Sequence, residues 1–439
     1  MHKQKDIILF VLFLFTPVIS FFTTPITPVI IIPGVVSSIL QAKLTNATNL
    51  PTKCETTTKD FYPLWVSSSQ ILSQFNCFAS NMAVNYNSTT QCAVSQPGVD
   101  IQAVNFGLTS CCDVLNPTDW FTIPKVVIWK PLSDYLRKNG YVDGTTLKAA
   151  PYDFRLFGDD CFNEIYFVKL KQMVEESYAP FHRKVALVSH SMGGNVGHQF
   201  LVRQTIDWKK KYINRFVAIA PPFSGAPEGI REFITGNLYN WIPNIIGKPL
   251  SQAFRSWPAT ISLFPQETSS LGGIRAWDNV TIVQTPSKNY TGTNGGLVIV
   301  ELLNKLATSD PNSTRAKETK LGSIFWKNQQ KMRDNVRNKG PGVITNCLYL
   351  TDVDTVVGTV FADDKLLKQI SVNYGPGDGT VAAISTSASC ETWRLHGNNN
   401  GMNVTCEPYH LGKYVNHHGV LGAIEILTRL LQLLQEVEV

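Results

Sequence analysis

The sequence predicts an α/β fold, a mostly parallel β-sheet covered by helices on both faces and interrupted by two large insertions. Three observations lead there. Short apolar, β-branched runs bounded by Pro, Gly or Asn alternate with helical stretches. One such run passes directly into a turn of small residues and then a helical pattern, at Lys184-VALVSHSMGGN. Two segments are far longer than the roughly two to six residues that normally connect elements of such a sheet.

In chain order, the buried-strand runs are Pro28-VIIIPG, Val185-ALVS, Phe216-VAIAP and Asn346-CLYLT. Helical stretches fall between and after them at Pro131-LSDYLRK, Val196 to Arg203 and Gly422-AIEILTRLLQLL, the last with Leu and Ile spaced to pack one face on a core. The long segments are Cys54 to about Ile123, rich in Ser, Asn, Thr and Cys, and Pro222 to Gly342, rich in turn residues. Insertions of this size are usually lids or caps.

Composition agrees with a folded, non-fibrous chain. Of 439 residues, 44% are hydrophobic and 16% charged, which excludes a disordered protein or a coiled coil and leaves apolar material for a sizeable core. Net charge is +6. Arg315 to Lys339 alone carries eight basic and two acidic residues. A solvated face is the ordinary reading of that stretch, contact with an anionic lipid surface the alternative. No motif supports nucleic-acid binding.

His2, Lys3 and Lys5 precede the apolar run Ile7 to Phe15, and Val18-Ile19-Ser20 follows. This is the pattern of a secretory signal peptide, residues 1–20. Even extended to Phe22 the run is shorter than the ~20 residues that span a bilayer, and it contains Pro17. Six acceptor sequons, at Asn46, Asn87, Asn279, Asn289, Asn312 and Asn403, agree with export and predict glycosylation. The chain is therefore expected to be secreted or lumenal, delivered through the secretory pathway. Nine cysteines in an exported chain should be mostly disulfide-bonded with at least one left over. With no CxxC pair or His/Cys cluster, neither a metal nor a cofactor is expected.

Ser191 is the nucleophile candidate. In a strand–turn–helix elbow, the residues two before and two after the Ser must be small because two backbones pass close there, and Ser189 and Gly193 are small. A serine hydroxyl needs a base oriented by a carboxylate, and hydrolases of this architecture keep the chain order Ser, acid, His. The acid candidate is Asp378 in Gly375-PGDGTV; an Asx-turn residue without chemistry is the alternative. The base candidates are His417 and His418, just before the final helix. His182, His190 and His198 precede the acid and are disfavoured by the ordering. The oxyanion needs two backbone N–H groups: Met192 would supply one, and the loop Pro33-Gly34-Val35-Val36 the other.

Beyond these features the chain resembles the lecithin:cholesterol acyltransferase and lysosomal phospholipase A family. The similar blocks include Ile30-IIPGVVSSILQAKL, Asp60-FYPLW, Asn76-CFASNMAVNYN, Ala149-APYDFR, Val185-ALVSHSMG, Ala220-PPFSGAP, Thr281-IVQTPSKNYT, Gly377-DGTV with Ser389-CETW, and Asn416-HHGVL. The resemblance implies an α/β-hydrolase with a membrane-binding lid and a cap. Residue by residue it implies Ser191 as nucleophile, Asp378 as acid, and the amides of Val35 and Met192 as the oxyanion hole. It favours His417 as base, with His418 the alternative. It pairs Cys54–Cys77 and Cys347–Cys390, leaves Cys92, Cys111, Cys112, Cys161 and Cys406 unassigned, and marks Trp65, Ile71, Leu72, Phe75 and Phe78 for lipid contact. Two departures stand out: Val35 occupies a position where relatives carry Cys or Asp, and Ser37 replaces their Gly.

The organisation expected is residues 21–53 opening the core, 54–123 a lid and membrane-binding insertion, and 124–221 core with the nucleophile. A cap over 222–342 and core again over 343–439, with acid and base, complete it. The function this implies is cleavage of a glycerophospholipid acyl ester through an acyl-serine, the acyl group passing to water or a lipid alcohol. Phospholipid membranes or lipoprotein surfaces are the expected partners, and the chain is expected to act as a monomer. A soluble carboxylesterase on the same fold, or a non-catalytic lipid-binding glycoprotein, are the alternatives.

Overall fold

Six strands make the central sheet: β1 Val29–Ile32, β2 Leu147–Ala149, β3 Val185–His190, β4 Ile213–Ile219, β5 Thr345–Leu350 and β6 Val404–Tyr409. They are seen in a computed structural model that describes residues 26–67, 70–71, 74–116, 125–237, 244–265, 276–292, 295–329, 339–396 and 403–436. The signal-peptide expectation and Leu72 lie outside the described residues. Across the sheet the order is β6-β5-β4-β3-β1-β2, and every pairing is parallel. The four inner strands are buried at every residue, which is why they read as nearly unbroken apolar runs.

Alternate residues of a strand face opposite sides, and the two faces are covered by different helices. Ile30, Ile32 and Leu187 pack with Leu170 and Val174 of the helix Asp160–Tyr178 and with Val196 and Phe200 of the helix Met192–Val202. Val29, Ile31 and Val188 pack with Leu132 and Leu136 of the helix Lys130–Lys138 and with Leu427 and Leu430 of the helix Ile424–Gln435. This is the α/β-hydrolase fold expected. Because β1 lies between β2 and β3, the strand order reverses there. The crevice outside the carboxyl ends of β1 and β3 is where such sheets bind ligands.

Leu40–Leu44, from the segment expected to open the core, instead pairs antiparallel with Tyr62–Trp65 and Val99–Ala103 of the first insertion in a separate three-stranded sheet. A hairpin, Val84–Asn87 with Cys92–Ser95, and the helix Phe75–Met82 accompany it. In mid-chain stand the helices Pro227–Thr235, Asn244–Ser256, Pro258–Ser262, Gly295–Ser309 and Thr314–Asn328. The two insertions are joined by buried hydrogen bonds from the Val84 N–H to Ser256 Oγ and from the Trp257 indole to the Met82 carbonyl, both 2.8 Å. A second sheet ties Thr281–Gln284 in parallel to Val353–Phe361, the first arm of a hairpin whose second arm, Gln369–Gly377, leads into Asp378.

Four of the residues expected to contact lipid face inward in this structure. Trp65, Ile71 and Phe78 are buried, and Phe75 is partly buried against the same cluster. The Trp65 ring stacks on Phe78 at 6.2 Å and meets Phe154 edge-on at 5.8 Å. The reason is local. The helix Phe75–Met82 turns Cys77, Phe78, Ala79 and Met82 inward, and the Trp65 indole N–H finds a partner inside, the Val36 carbonyl at 2.8 Å. Exposing the ring would give up both the burial and that bond.

Three disulfides close among the described residues. Cys54–Cys77 forms as expected, and Cys92–Cys161 joins the hairpin to the helix Asp160–Tyr178. The expected Cys347–Cys390 pairing is corrected: Cys390 bonds Cys406, and Cys347 is a buried free thiol, as are Cys111 and Cys112. Cys406 sits on edge strand β6 directly beside Cys347 of β5, within reach of Cys390 on the helix Ala383–His396. All six sequon asparagines are exposed, as attachment of a glycan requires.

Candidate active site

The central sheet carries Ser191 at the carboxyl end of β3 and His417 on the loop after β6, while Asp378 arrives from the hairpin of the second sheet. Ser191 follows β3 with φ 55° and ψ −134°, a backbone conformation that a side-chain-bearing residue rarely adopts and that marks a nucleophile elbow. Packing enforces the small neighbours. A Cβ on Gly193 would stand 2.2 Å from the Ile32 carbonyl oxygen, and one on Gly34 would stand 2.9 Å from Ser191 Cβ. Only glycine at both positions lets the loop after β1 approach the serine. The Ser191 N–H is held by the Ile219 carbonyl at 3.0 Å.

Met192 is the first residue of the helix that follows, where N–H groups lack intrahelical partners and the helix dipole favours negative charge. Val35 lines the same cavity as Ser191. Its loop is braced by the Ser37 hydroxyl, which donates to the Val35 carbonyl at 3.0 Å, and by Trp65 on the Val36 carbonyl.

Asp378 is buried in a Gly-flanked turn. One carboxylate oxygen accepts the N–H groups of Thr380 at 2.9 Å and Val381 at 2.7 Å; the other lies 2.7 Å from Nδ1 of His417. The Asx-turn geometry and the bond to His417 therefore coexist, the turn serving to aim the carboxylate. The backbone agrees, since the His417 N–H donates to the Asp378 carbonyl at 2.8 Å. A carboxylate only accepts, so Nδ1 of His417 carries the proton and Nε2 is left as the basic nitrogen.

Ser191, His417 and His418 line one cavity. The ring bonded to Asp378 is that of His417. Burial, then the neighbouring His417, pushes His418 down to about 4, so it is uncharged at neutral pH. The other walls include the apolar Val36, Phe254, Leu263 and Val381, the polar Ser37 and Thr380, and Glu228 and Glu232 of the helix Pro227–Thr235. The free space is about 40 Å³.

Sequence reasoning missed several parts of this site. Glu228 and Glu232 belong to a helix that no strong signal announced, and Glu228 is held by Arg231 through a 2.7 Å bond from Nε. His190 was set aside by chain order, yet its Nε2 lies 2.7 Å from the His417 carbonyl oxygen. Among the described residues no cluster of His, Cys, Asp and Glu could hold a metal ion. No described helix is long and apolar enough to cross a membrane.

Comparison with known proteins fits this geometry. The family model described as lecithin:cholesterol acyltransferase matches residues 61–423. The lysosomal phospholipase A and acyltransferase of Bos taurus is 29% identical over 404 residues, spanning 88% of this chain and 87% of the relative. The phosphatidylcholine-sterol acyltransferase of Gallus gallus is 28% identical over 376 residues, spanning 85% and 83%. A solved chain of the Tle4–Tli4 complex shares the fold with a TM-score of 0.51 at 11% identity, covering 94% of this chain and 99% of that one.

Proposed function

The chain belongs to the lecithin:cholesterol acyltransferase family and is a lipid acyl hydrolase or acyltransferase; from that premise we propose how its own residues carry the reaction and on what substrate. Nε2 of His417 takes the proton of Ser191 Oγ as the oxygen attacks the carbonyl carbon of a glycerophospholipid acyl ester. The C=O becomes a tetrahedral oxyanion, received by the N–H groups of Val35 and Met192. The imidazolium is stabilised by the Asp378 carboxylate at 2.7 Å from Nδ1. The oxyanion collapses, the ester C–O bond breaks, and the proton passes from His417 to the departing lysolipid oxygen. In the second half the same nitrogen deprotonates water or a lipid alcohol, which attacks the acyl-serine and releases fatty acid or a new ester.

The observation that carries this reading is the placement of Ser191, in its elbow conformation, on the same cavity as a buried His417 bonded to Asp378. The apolar wall suits an acyl chain. Glycerophospholipid as acyl donor, presented on a membrane or lipoprotein surface to a monomeric enzyme, completes the proposal. The three disulfides suit folding in the secretory pathway, with secretion or lysosomal delivery as destination.

The test is lipid product analysis with phospholipid vesicles at acid and neutral pH, with and without a ceramide or a sterol in the bilayer. Release of lysolipid together with fatty acid or an acylated acceptor, lost in Ser191→Ala, supports the proposal. Turnover of short monomeric esters with none on vesicles favours the carboxylesterase alternative.

A further inference from the structure

His190 stands immediately before the nucleophile, and none of the steps above uses it. Its ring is fully buried, and its Nε2 lies 2.7 Å from the carbonyl oxygen of His417. A carbonyl oxygen can only accept, so Nε2 carries the proton and the ring is the neutral tautomer with a bare Nδ1. That Nδ1 has no hydrogen-bond partner among the described residues. The site therefore uses one end of this imidazole and leaves the other idle, which is not the pattern of a histidine kept for a network of its own.

The surroundings keep the ring uncharged. Burial first, then the imidazoles of His417 and His418, hold its pKa well below the ordinary histidine range. The His417 ring centre is 4.6 Å away, the His418 centre 6.0 Å, and Trp129 meets it edge-on at 6.2 Å. No carboxylate is bonded to it among the described residues.

His417 sits on the loop after β6, outside the sheet ladder, and a loop residue is held only by the bonds it makes. Asp378 secures two of its groups, the N–H at 2.8 Å and Nδ1 at 2.7 Å. The carbonyl is the third, and His190 takes it.

We propose that His190 is the positioning residue of the catalytic base: by donating Nε2–H to the His417 carbonyl, it sets the distance between the basic nitrogen and the serine that follows His190 on the same strand end. The inference rests on the proposed triad. Ser191 and its base come from parts of the chain more than two hundred residues apart, and this bond is a direct link from the nucleophile elbow to the base loop. Histidine suits the task because it places a neutral donor at the far end of a flat, rigid ring. Leucine would leave the buried carbonyl without a donor. Lysine or arginine would set a fixed positive charge beside an imidazole that must itself become positive. Asparagine carries its amide nitrogen where Nδ1 stands and falls short of the carbonyl, whereas glutamine carries one where Nε2 stands.

The experiment compares His190→Leu, His190→Gln and His190→Asn in the full chain. It reads the rate of Ser191 labelling by a fluorophosphonate across pH, kcat and KM on phospholipid vesicles, and the thermal midpoint. Labelling depends on the serine–base geometry and not on capture of a lipid. A misplacement of the base costs about 10- to 100-fold. The expected result is labelling slower by that factor in His190→Leu and His190→Asn, with kcat falling in step and KM unchanged. In His190→Gln most of the rate returns. Wild-type labelling in a folded His190→Leu protein would overturn the inference. So would a His190→Gln protein no faster than His190→Asn, a comparison that decides the matter even when the leucine variant does not fold. A wild-type protein that is not labelled at Ser191 would instead remove the triad on which the inference rests.

Discussion

The indole N–H of Trp65 donates to the carbonyl of Val36 across 2.8 Å in the protein interior, joining the N-terminal insertion to the loop that carries the proposed oxyanion donor. Val36 needs such a brace. Its φ is 54°, a left-handed conformation that is strained for a β-branched residue by about 1–3 kcal/mol. Trp65, a residue expected to contact lipid, is buried in this structure and holds the Val36 carbonyl.

Trp65→Phe keeps an aromatic ring against Phe78 and Phe154 but removes the donor. The buried carbonyl is left unpaired at a cost of about 1–3 kcal/mol, and the loop loses its hold on the Val35 amide. The expected outcome is a kcat on vesicles lowered by about tenfold or more with vesicle binding, measured by sedimentation, unchanged. Weaker sedimentation with a preserved kcat would return Trp65 to the membrane.

His417 and His418 are adjacent in sequence and line one cavity, so substitution separates them. His417→Gln should lower fluorophosphonate labelling and lipid turnover by about 10³-fold or more. His418→Gln should retain activity within about tenfold, since the ring bonded to Asp378 is that of His417. The reverse ranking would reassign the base.

Burial raises the Glu318 carboxyl to about 7, although Arg255 lies 3.3 Å away. The two join the helices Asn244–Ser256 and Thr314–Asn328 of the mid-chain insertion. The unfolded carboxyl titrates near 4.5, so between that value and about 7 the native state holds a proton that the unfolded state has released. The resulting stability, at most about 3 kcal/mol, is fully present below the unfolded value and is lost as pH rises through about 7. Thermal unfolding followed from pH 4.5 to 8 should show this loss in the wild type and a flatter profile in Glu318→Gln. Superimposable profiles would show that Glu318 does not titrate in this window.

Alkylation under denaturing, non-reducing conditions should tag Cys111, Cys112 and Cys347, and peptide mapping should find Cys390 linked to Cys406. A Cys347–Cys390 peptide would restore the pairing that the family resemblance implies.

What the sequence disclosed follows from where each residue lies. The inner strands were legible because burial on both faces makes their patterns apolar throughout. Edge strands β2 and β6 were not, since β2 has only three residues and β6 is mostly exposed or half-buried and so lacks an apolar run, and missing β6 is what hid Cys406 as the partner of Cys390. Ser191, Asp378 and the His417–His418 pair were legible because an elbow, an Asx turn and a loop before a helix each leave a local string, and only the family resemblance favoured His417 within the pair. His190 and Trp65 act through bonds to backbone carbonyls 227 and 29 residues away. A carbonyl leaves no residue-type signature, so no string could announce them. The lid aromatics are ambiguous for a related reason: an apolar run reads alike whether its face meets lipid or a neighbouring helix.

The most direct measurement is peptide mass analysis of the protein quenched during turnover of phospholipid vesicles. The account predicts a fatty acyl ester on Ser191, absent in Ser191→Ala, which also releases no lysolipid. Lysolipid release that persists in Ser191→Ala, or an acyl group found on another residue, would contradict it.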